Sequence, residues 1–372
     1  MKKRSGEKKI KYFDYNLLIL IIFLLGFGLV MLYSSSSYVA GNKYNDSAHF
    51  LKLQIRNIAV GVLFMIPSTF IDYRVWKRFS GLAYFVSLGL CFLVLIAGQS
   101  GNGSTRWLRI GPIQFQPSEL AKLGVIIFFA ALIDRVTKKL DSFKNLLILT
   151  ATLAPIVLVV AISNLSTAVI IMGIGICMLF VASPKYKPFV IMIIGSAAIL
   201  IGAFTILASY RMNRIEAWLH PETAGEDGFQ TTMGLYAIGS GGFFGKGLGK
   251  SLQKLGNVPE SQNDMIFTII CEELGLFGAT CVILLFILML WRMMIIANNA
   301  PDLFGSLIVT GVMSHIAIQV ILNIAVVTNT IPNTGVILPF ISYGGTSIMF
   351  LLIEMGLVLS VSRKIKLEAI DK

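Results

Sequence analysis

The segment Asn257-Val-Pro-Glu-Ser-Gln-Asn-Asp264-Met-Ile-Phe-Thr-Ile-Ile-Cys-Glu272-Glu273-Leu-Gly275 leaves a polar, glycine-rich stretch and enters one of the longest apolar runs of the chain. Asp264 stands where a water-exposed part ends and a buried part begins. Glu272 and Glu273 follow inside the apolar run, about 12 Å further along at roughly 1.5 Å per helical residue. A carboxylate at a membrane boundary, with two more beyond it, is costly unless it is solvated, paired or used.

The rest of the composition supports a membrane setting. Of 372 residues, 56% are apolar and 13% charged, with a mean hydropathy of +0.80. That balance lies outside the soluble globular range and predicts an all-α integral membrane protein. Apolar runs near spanning length occur at 14–35, 55–72, 79–97, 118–136, 145–163, 165–183, 188–208, 264–297, 303–328 and 341–361. They predict a bundle of about ten transmembrane helices in one domain over 1–372, and an even number puts both termini on one side. The basic start, 1–13, leads into an apolar run with no A-x-A-type cleavage site, which reads as a retained first span.

Lys and Arg orient the bundle. With both termini cytoplasmic, the inside segments carry 20 of these cations and the outside segments 10. That bias fits the positive-inside rule, so the net charge of +12 speaks to orientation and not to nucleic acid. The basic 1–13 and the tail 362–372 then face the cytoplasm. The large extracytoplasmic loop is 209–263, between helices 7 and 8. Gly98–Gln116 and Pro332–Ser347 are two further outside loops, so the working face is expected there.

Cys91, Cys177, Cys271 and Cys281 fall in apolar segments without C-x-x-C spacing and read as packing residues. His49, His220 and His315 are too scattered for a metal cluster, so any metal would need oxygen ligands. Gly245-Lys-Gly-Leu-Gly-Lys250-Ser251 looks like a phosphate loop, but Phe244 stands where its first glycine should be. The nucleotide reading fails, and these glycines are expected to give a loop free to close over a substrate.

With the loops placed, the sequence resembles the SEDS family of shape, elongation, division and sporulation proteins, which includes FtsW, RodA and SpoVE. Pro332-Asn-Thr-Gly-Val-Ile-Leu-Pro-Phe-Ile-Ser-Tyr-Gly-Gly-Thr-Ser347 is similar to the family signature ending P-x-x-S-Y-G-G-[ST]-S. Arg106-Trp107-Leu108 with Gln116-Pro117-Ser118-Glu119-Leu-Ala-Lys122 resembles a second motif, and Pro259–Gly275 a third. The wording Leu-Pro-Phe-Ile-Ser-Tyr-Gly-Gly looks closer to the FtsW and SpoVE branches than to RodA. One departure stands out: where many members have Q-P-D-L-G-T, this chain has Ile162-Ser-Asn164-Leu165-Ser166-Thr167. A role resting on an acid there does not transfer.

The resemblance implies a peptidoglycan glycosyltransferase in the cytoplasmic membrane of a bacterium. It would polymerise lipid II onto a nascent glycan strand on the outer face. It also implies a class B penicillin-binding protein as partner, divisome or elongasome proteins around it, and a Mg²⁺ or Mn²⁺ ion assisting through phosphate oxygens. No dedicated metal ligands are identified.

Such a reaction needs a base beside the acceptor hydroxyl and cations beside the diphosphate. Asp264 is the candidate base, and a lone carboxylate suits inversion better than a covalent double displacement. The plainer reading of Asp264 is a helix N-cap. Arg56, Arg106, Arg109, Arg211 and Arg214 are outside cations whose forks suit phosphate, against a default of contact with lipid headgroups. Trp107 suits sugar stacking or the interfacial aromatic belt.

Ser342 and Tyr343 are candidate substrate contacts, although no His stands ready to make Ser342 a nucleophile and the neighbouring glycines argue for a structural turn. Glu119 and Lys122, three apart, are expected to pair as a brace. Glu272 and Glu273 are expected to hold or meet a cation and receive no catalytic role. A lipid flippase or transporter shares the span count and buried charges but has no detectable repeat here. A non-catalytic scaffold docking a partner through the long loop is the third class.

Overall fold

Apolar runs of spanning length become helices because a bilayer offers no partner to an unpaired peptide group. The computed structural model describes residues 10–101, 104–110, 113–137, 140, 143–183 and 208–367. Its first half contains α1 (Tyr15–Tyr44), α2 (His49–Phe70), α3 (Arg74–Arg78), α4 (Ser80–Ala97), α5 (Pro117–Val136), α6 (Phe143–Ala151), α7 (Ala154–Ser163) and α8 (Leu165–Ala182). The second half contains α9 (Ala208–Leu219), α10 (Gly225–Ser240), α11 (Ile266–Asn298), α12 (Leu303–Val327) and α13 (Gly345–Ser362).

Each expected span meets a helix except the one at 188–208, which lies outside the described residues apart from its last position. Among the described residues seven helices are long and apolar enough to cross a membrane. The number is eight if α6 and α7, bent by 44°, form one span. The expected ten spans are thus not all represented among the described residues: 188–208 lies almost wholly outside them, and α5, with Glu119, Lys122, Asp134 and Arg135 within its 20 residues, falls outside that count.

Polar residues start the helices. Asp14 accepts from the Leu17 amide at 2.9 Å and Asp302 from Gly305 at 2.8 Å, while Pro117 opens α5. α5, α12 and α13 form the buried centre. The outer helices turn Ile19, Ile22, Phe23, Leu63, Phe85 and Ile96 outward, where lipid would cover them.

One end of the bundle gathers ion pairs. Arg292 bonds Asp14 at 2.7 Å, Arg74 bonds Asp302 at 2.8 Å, Lys364 bonds Asp72 at 2.6 Å, and Lys77 pairs with Asp134. There the strands β1 (Ile10–Lys11) and β5 (Lys366–Leu367) run antiparallel. The described ends of the chain thus lie side by side.

The opposite end departs from the sequence reading in three places. Gly98–Gln116 is not an irregular loop but a three-stranded antiparallel sheet of β2 (Gln99–Gly101), β3 (Ser104–Ile110) and β4 (Ile113–Phe115), with β3 against α4, α5 and α7. The expected loop 209–263 contains most of α9, the whole of α10 and a run of turns. The expected span 264–297 is broken at Gly275, whose φ of 68° and ψ of −168° are not helical.

Backbone from the turn-rich segment enters the gap. The amides of Leu276 and Phe277 donate to the Gly242 and Phe243 carbonyls at 2.9 and 3.0 Å. Those of Lys246 and Gly247 donate to the Glu272 and Glu273 carbonyls, each at 2.9 Å. The break is thereby satisfied from outside the helix.

Lengths then fix levels. Leu276 to Asn298 rises roughly 34 Å, enough for a hydrocarbon core of about 30 Å, and Leu303 to Asn323 rises about 30 Å. Asn323 bonds the Asp264 main chain, so Asp264 and Gly275 stand at similar heights. Ile266–Leu274 is the short part of α11 before the break, and Glu272 and Glu273 sit buried at its end.

Candidate active site

Asp264 lies two residues before α11, yet it does not serve as its cap. Met265 occupies that position and no side chain caps the helix. The Asp264 carboxylate is buried, and its Oδ1 has no hydrogen-bond partner among the described residues. Burial pushes its carboxyl up to about 7; Glu260 adds to the rise and Arg214 opposes it.

The segments around Asp264 come from distant parts of the sequence. Asn323 Nδ2 donates to the Asp264 carbonyl at 2.7 Å and to the Val336 carbonyl at 2.8 Å. A Cβ on Gly335 would lie 3.8 Å from Asp264 Oδ2. The Tyr343 amide donates to the Gln262 carbonyl at 2.9 Å, and Gln54 Nε2 reaches the Ser342 carbonyl at 3.2 Å. Arg214 Nη1 donates to the Asn333 carbonyl at 3.2 Å, and Ser166 Oγ to Thr334 at 3.0 Å. The 257–275 and 332–347 motifs therefore meet at Asp264.

The remaining motif joins through α13. The Gln116 amide donates to Thr346 Oγ1 at 3.3 Å, and Glu119 lies 3.0 Å from Lys122 Nζ with both side chains buried, as expected of a brace. Next to this pair is one that sequence reading missed. His315 Nδ1 meets Glu354 Oε2 at 2.7 Å, and its Nε2 meets Gln319 Oε1 at 2.8 Å. In the sequence His315 is one of three histidines too scattered for a metal cluster; only helix packing brings it to Glu354, 39 positions away.

The other candidate residues scatter. Arg106 Nε donates to the Ser163 carbonyl at 3.1 Å, which ties β3 to the end of α7. Trp107 is half-buried on that strand, and Arg109 is exposed opposite Gln114. Arg56 is exposed near Tyr343, close enough to act on its hydroxyl. The Arg211 side chain lies outside the described residues.

Ser342 is turned inward: its Oγ accepts from the Leu338 amide at 2.8 Å and its own amide bonds Leu338 O at 3.0 Å. The geometry favours the structural turn over a substrate contact. Tyr343 sets its ring edge-on to Phe50, with centroids 5.2 Å apart. Of the expected outside cations, Arg214 acts on the Asp264 charge, whereas Asn323, whose amide bonds the Asp264 carbonyl, is revealed only by the fold. The Asn164 departure is structural as well, since its Oδ1 caps α8 by accepting from Thr167 at 3.2 Å, a role Asn fills as well as Asp.

Glu272 and Glu273 are fully engaged. Glu273 accepts from Lys254 Nζ at 2.7 Å, Ser34 Oγ at 2.7 Å and the Gly249 amide at 2.9 Å. Glu272 accepts from Lys246 Nζ at 2.7 Å and from the Leu252 and Gln253 amides, and pairs with Ser251 Oγ. The glycine-rich segment expected to swing over a substrate is instead wrapped around these two carboxylates and held there.

Comparison with known proteins fits this arrangement. Residues 15–367 match the family of FtsW, RodA and SpoVE described as "Cell cycle protein". The chain is 40% identical to Stage V sporulation protein E of Bacillus subtilis, over 94% of this chain and 97% of that protein. It is 37% identical to a probable peptidoglycan glycosyltransferase FtsW of Trichlorobacter lovleyi, over 96% and 95%. A chain in a solved assembly described as "Structural coordination of polymerization and crosslinking by a peptidoglycan synthase complex" superposes with a TM-score of 0.78, at 26% identity over 96% of this chain and 99% of that one. A multi-pass helical bundle carrying three of the family's motifs, matched along nearly its whole length, belongs to the FtsW, RodA and SpoVE family of cell cycle proteins.

Proposed function

We propose that this protein is a peptidoglycan glycosyltransferase that polymerises lipid II, with Asp264 as the base. The observation that carries this is the Asp264 carboxylate, which is buried, spent neither as a cap nor by a partner on Oδ1, and titrates near 7. A base that titrates near the working pH combines useful ionisation with useful basicity. In the transfer, a GlcNAc 4-hydroxyl gives its proton to Asp264 as its oxygen bonds the anomeric carbon of a lipid-linked MurNAc. The bond from that carbon to the diphosphate breaks, and the electron pair leaves with the diphosphate. Attack opposite the leaving group inverts the centre.

Arg214, whose charge acts on Asp264, and Arg56, whose charge acts on Tyr343, are the cations proposed to receive the diphosphate. Trp107 on β3 is the candidate sugar platform. A Mg²⁺ or Mn²⁺ ion would ride on the diphosphate. Among the described residues no trio of His, Cys, Asp or Glu gathers to hold one, and Glu272 and Glu273 are already saturated. The described residues alone thus offer no resident site, and no step is routed through one.

The site faces the outside of a bacterial cytoplasmic membrane in this reading, because the ion-paired, Lys- and Arg-rich end is the opposite one. A class B penicillin-binding protein is the proposed partner, in keeping with the synthase complex that the fold resembles, and septal wall synthesis the proposed setting. The test is to incubate the purified protein and that partner with labelled lipid II and separate the products on a gel. Glycan ladders that vanish with Asp264→Asn support the reading. Lipid translocation in vesicles without ladders would replace it with a flippase.

A further inference from the structure

Asn323 is a fully buried amide inside an apolar span. Left without partners, such a group costs about 1–3 kcal/mol. It spends its Nδ2 on two main-chain carbonyls, those of Asp264 and Val336, at 2.7 and 2.8 Å. These belong to the two segments that flank the Asp264 carboxyl, since Val336 follows the glycine facing Oδ2. One amide therefore ties the backbone carrying the acid to the backbone opposite it.

The tie extends down α12. Gln319 lies one turn earlier on the same face, and its Nε2 donates to the Ile337 carbonyl at 3.0 Å. His315, another turn earlier, bonds Gln319 and then Glu354 on α13. The three side chains form a polar rib gripping 336–337, and Asn323 is the rung that reaches the acid. Because α11 starts without a side-chain cap, this grip reaches the turn at 264–265 from outside the helix.

We infer that Asn323 is a positioning residue for the transfer reaction: it holds the Asp264 main chain against the 333–338 segment and so sets where the carboxyl meets the acceptor hydroxyl. The inference rests on Asp264 being the base. Displacement of a reacting group by about 1 Å can cost on the order of 100-fold in rate.

The test uses the full chain with its partner and lipid II. Asn323→Leu keeps the side-chain size and removes both donors. Expected are a kcat roughly 100-fold lower, a KM within about threefold of native, and an acid limb of the pH profile at least about one pH unit lower, as the released carboxyl relaxes toward water. Asn323→Gln, which keeps the donor on a longer arm, should recover at least about tenfold of the rate.

A near-native rate in Asn323→Leu overturns the inference. So does a slow variant whose acid limb has not moved and which Gln does not rescue. Should the Leu variant fail to fold, Asn323→Ala, which also removes the donors, decides: lowered kcat with unchanged KM supports positioning, and a native profile overturns it. Polymerisation surviving Asp264→Asn overturns the base reading and the inference together. Loss in Asp264→Asn with native behaviour in Asn323→Leu overturns the inference alone.

Discussion

Lys254 Nζ stands 2.7 Å from Glu273 Oε1, with both side chains withdrawn from solvent, and Ser34 of α1 bonds the same carboxylate. The pair pins the 245–254 turns to α11 and α1. Removing one partner of a buried pair leaves an uncompensated charge, which costs about 3–5 kcal/mol, whereas removing both together costs less. Lys254→Met should therefore lower the thermal midpoint in detergent more than Lys254→Met combined with Glu273→Gln. Equal loss in both would mean that the turns are held without this pair.

Gly275 is the backbone position through which those turns enter α11. A Cβ there would lie 2.3 Å from the Gly245 amide nitrogen, and its φ of 68° strains any L side chain. Gly275→Ala should cost roughly 2–5 kcal/mol, combining backbone strain with overpacking. Gly239→Ala is the control: a Cβ at that helical position meets nothing within 4 Å, and it should be neutral or slightly stabilising. Thermal denaturation of the two variants side by side checks the contrast.

Asp264→Asn should abolish polymerisation without loosening the fold, because Met265 and not Asp264 stands at the start of α11. Its effect on stability has a defined sign. A carboxyl raised to about 7 when folded binds its proton more tightly than in the unfolded chain. That stability is present in acid and is lost as pH rises from the ordinary carboxylate range through 7. The Asn variant should consequently be the more stable protein at pH 8, by at most roughly 4 kcal/mol, and gain nothing near pH 3. Thermal midpoints at the two pH values test this, and a destabilised variant at pH 8 would contradict the burial argument.

The same titration shapes activity. As base, Asp264 must be ionised, so kcat should fall about tenfold per pH unit below 7 and level off above it. Single-turnover polymerisation across pH 5 to 9 measures this limb. A plateau extending unbroken to pH 5 would assign the proton transfer to another group.

Much of this was legible in the chain itself. Run lengths gave the helices, because a bilayer selects them by apolar length alone. Glu119 and Lys122 were readable as a pair because three residues separate neighbours on one helix face. Asp264 stood out because a carboxylate at the edge of an apolar run needs a reason. The rest escaped for physical reasons: sheet pairing in Gly98–Gln116 depends on register between short polar stretches with little alternation, and the α11 break depends on a backbone insertion from 30 positions away.

The sequence by itself determined a membrane bundle, most of its helices and the boundary carboxylate Asp264 as the acid to explain, since these follow from local composition and spacing. Only the tertiary structure decided that Asp264 is no cap, that Glu272 and Glu273 are spent on the turns packed against them, and that Asn323 bonds the main chain of Asp264. Those facts are set by contacts between segments far apart in the chain, such as the 59 positions from Asp264 to Asn323, and no local pattern encodes which distant carbonyl a buried amide will find.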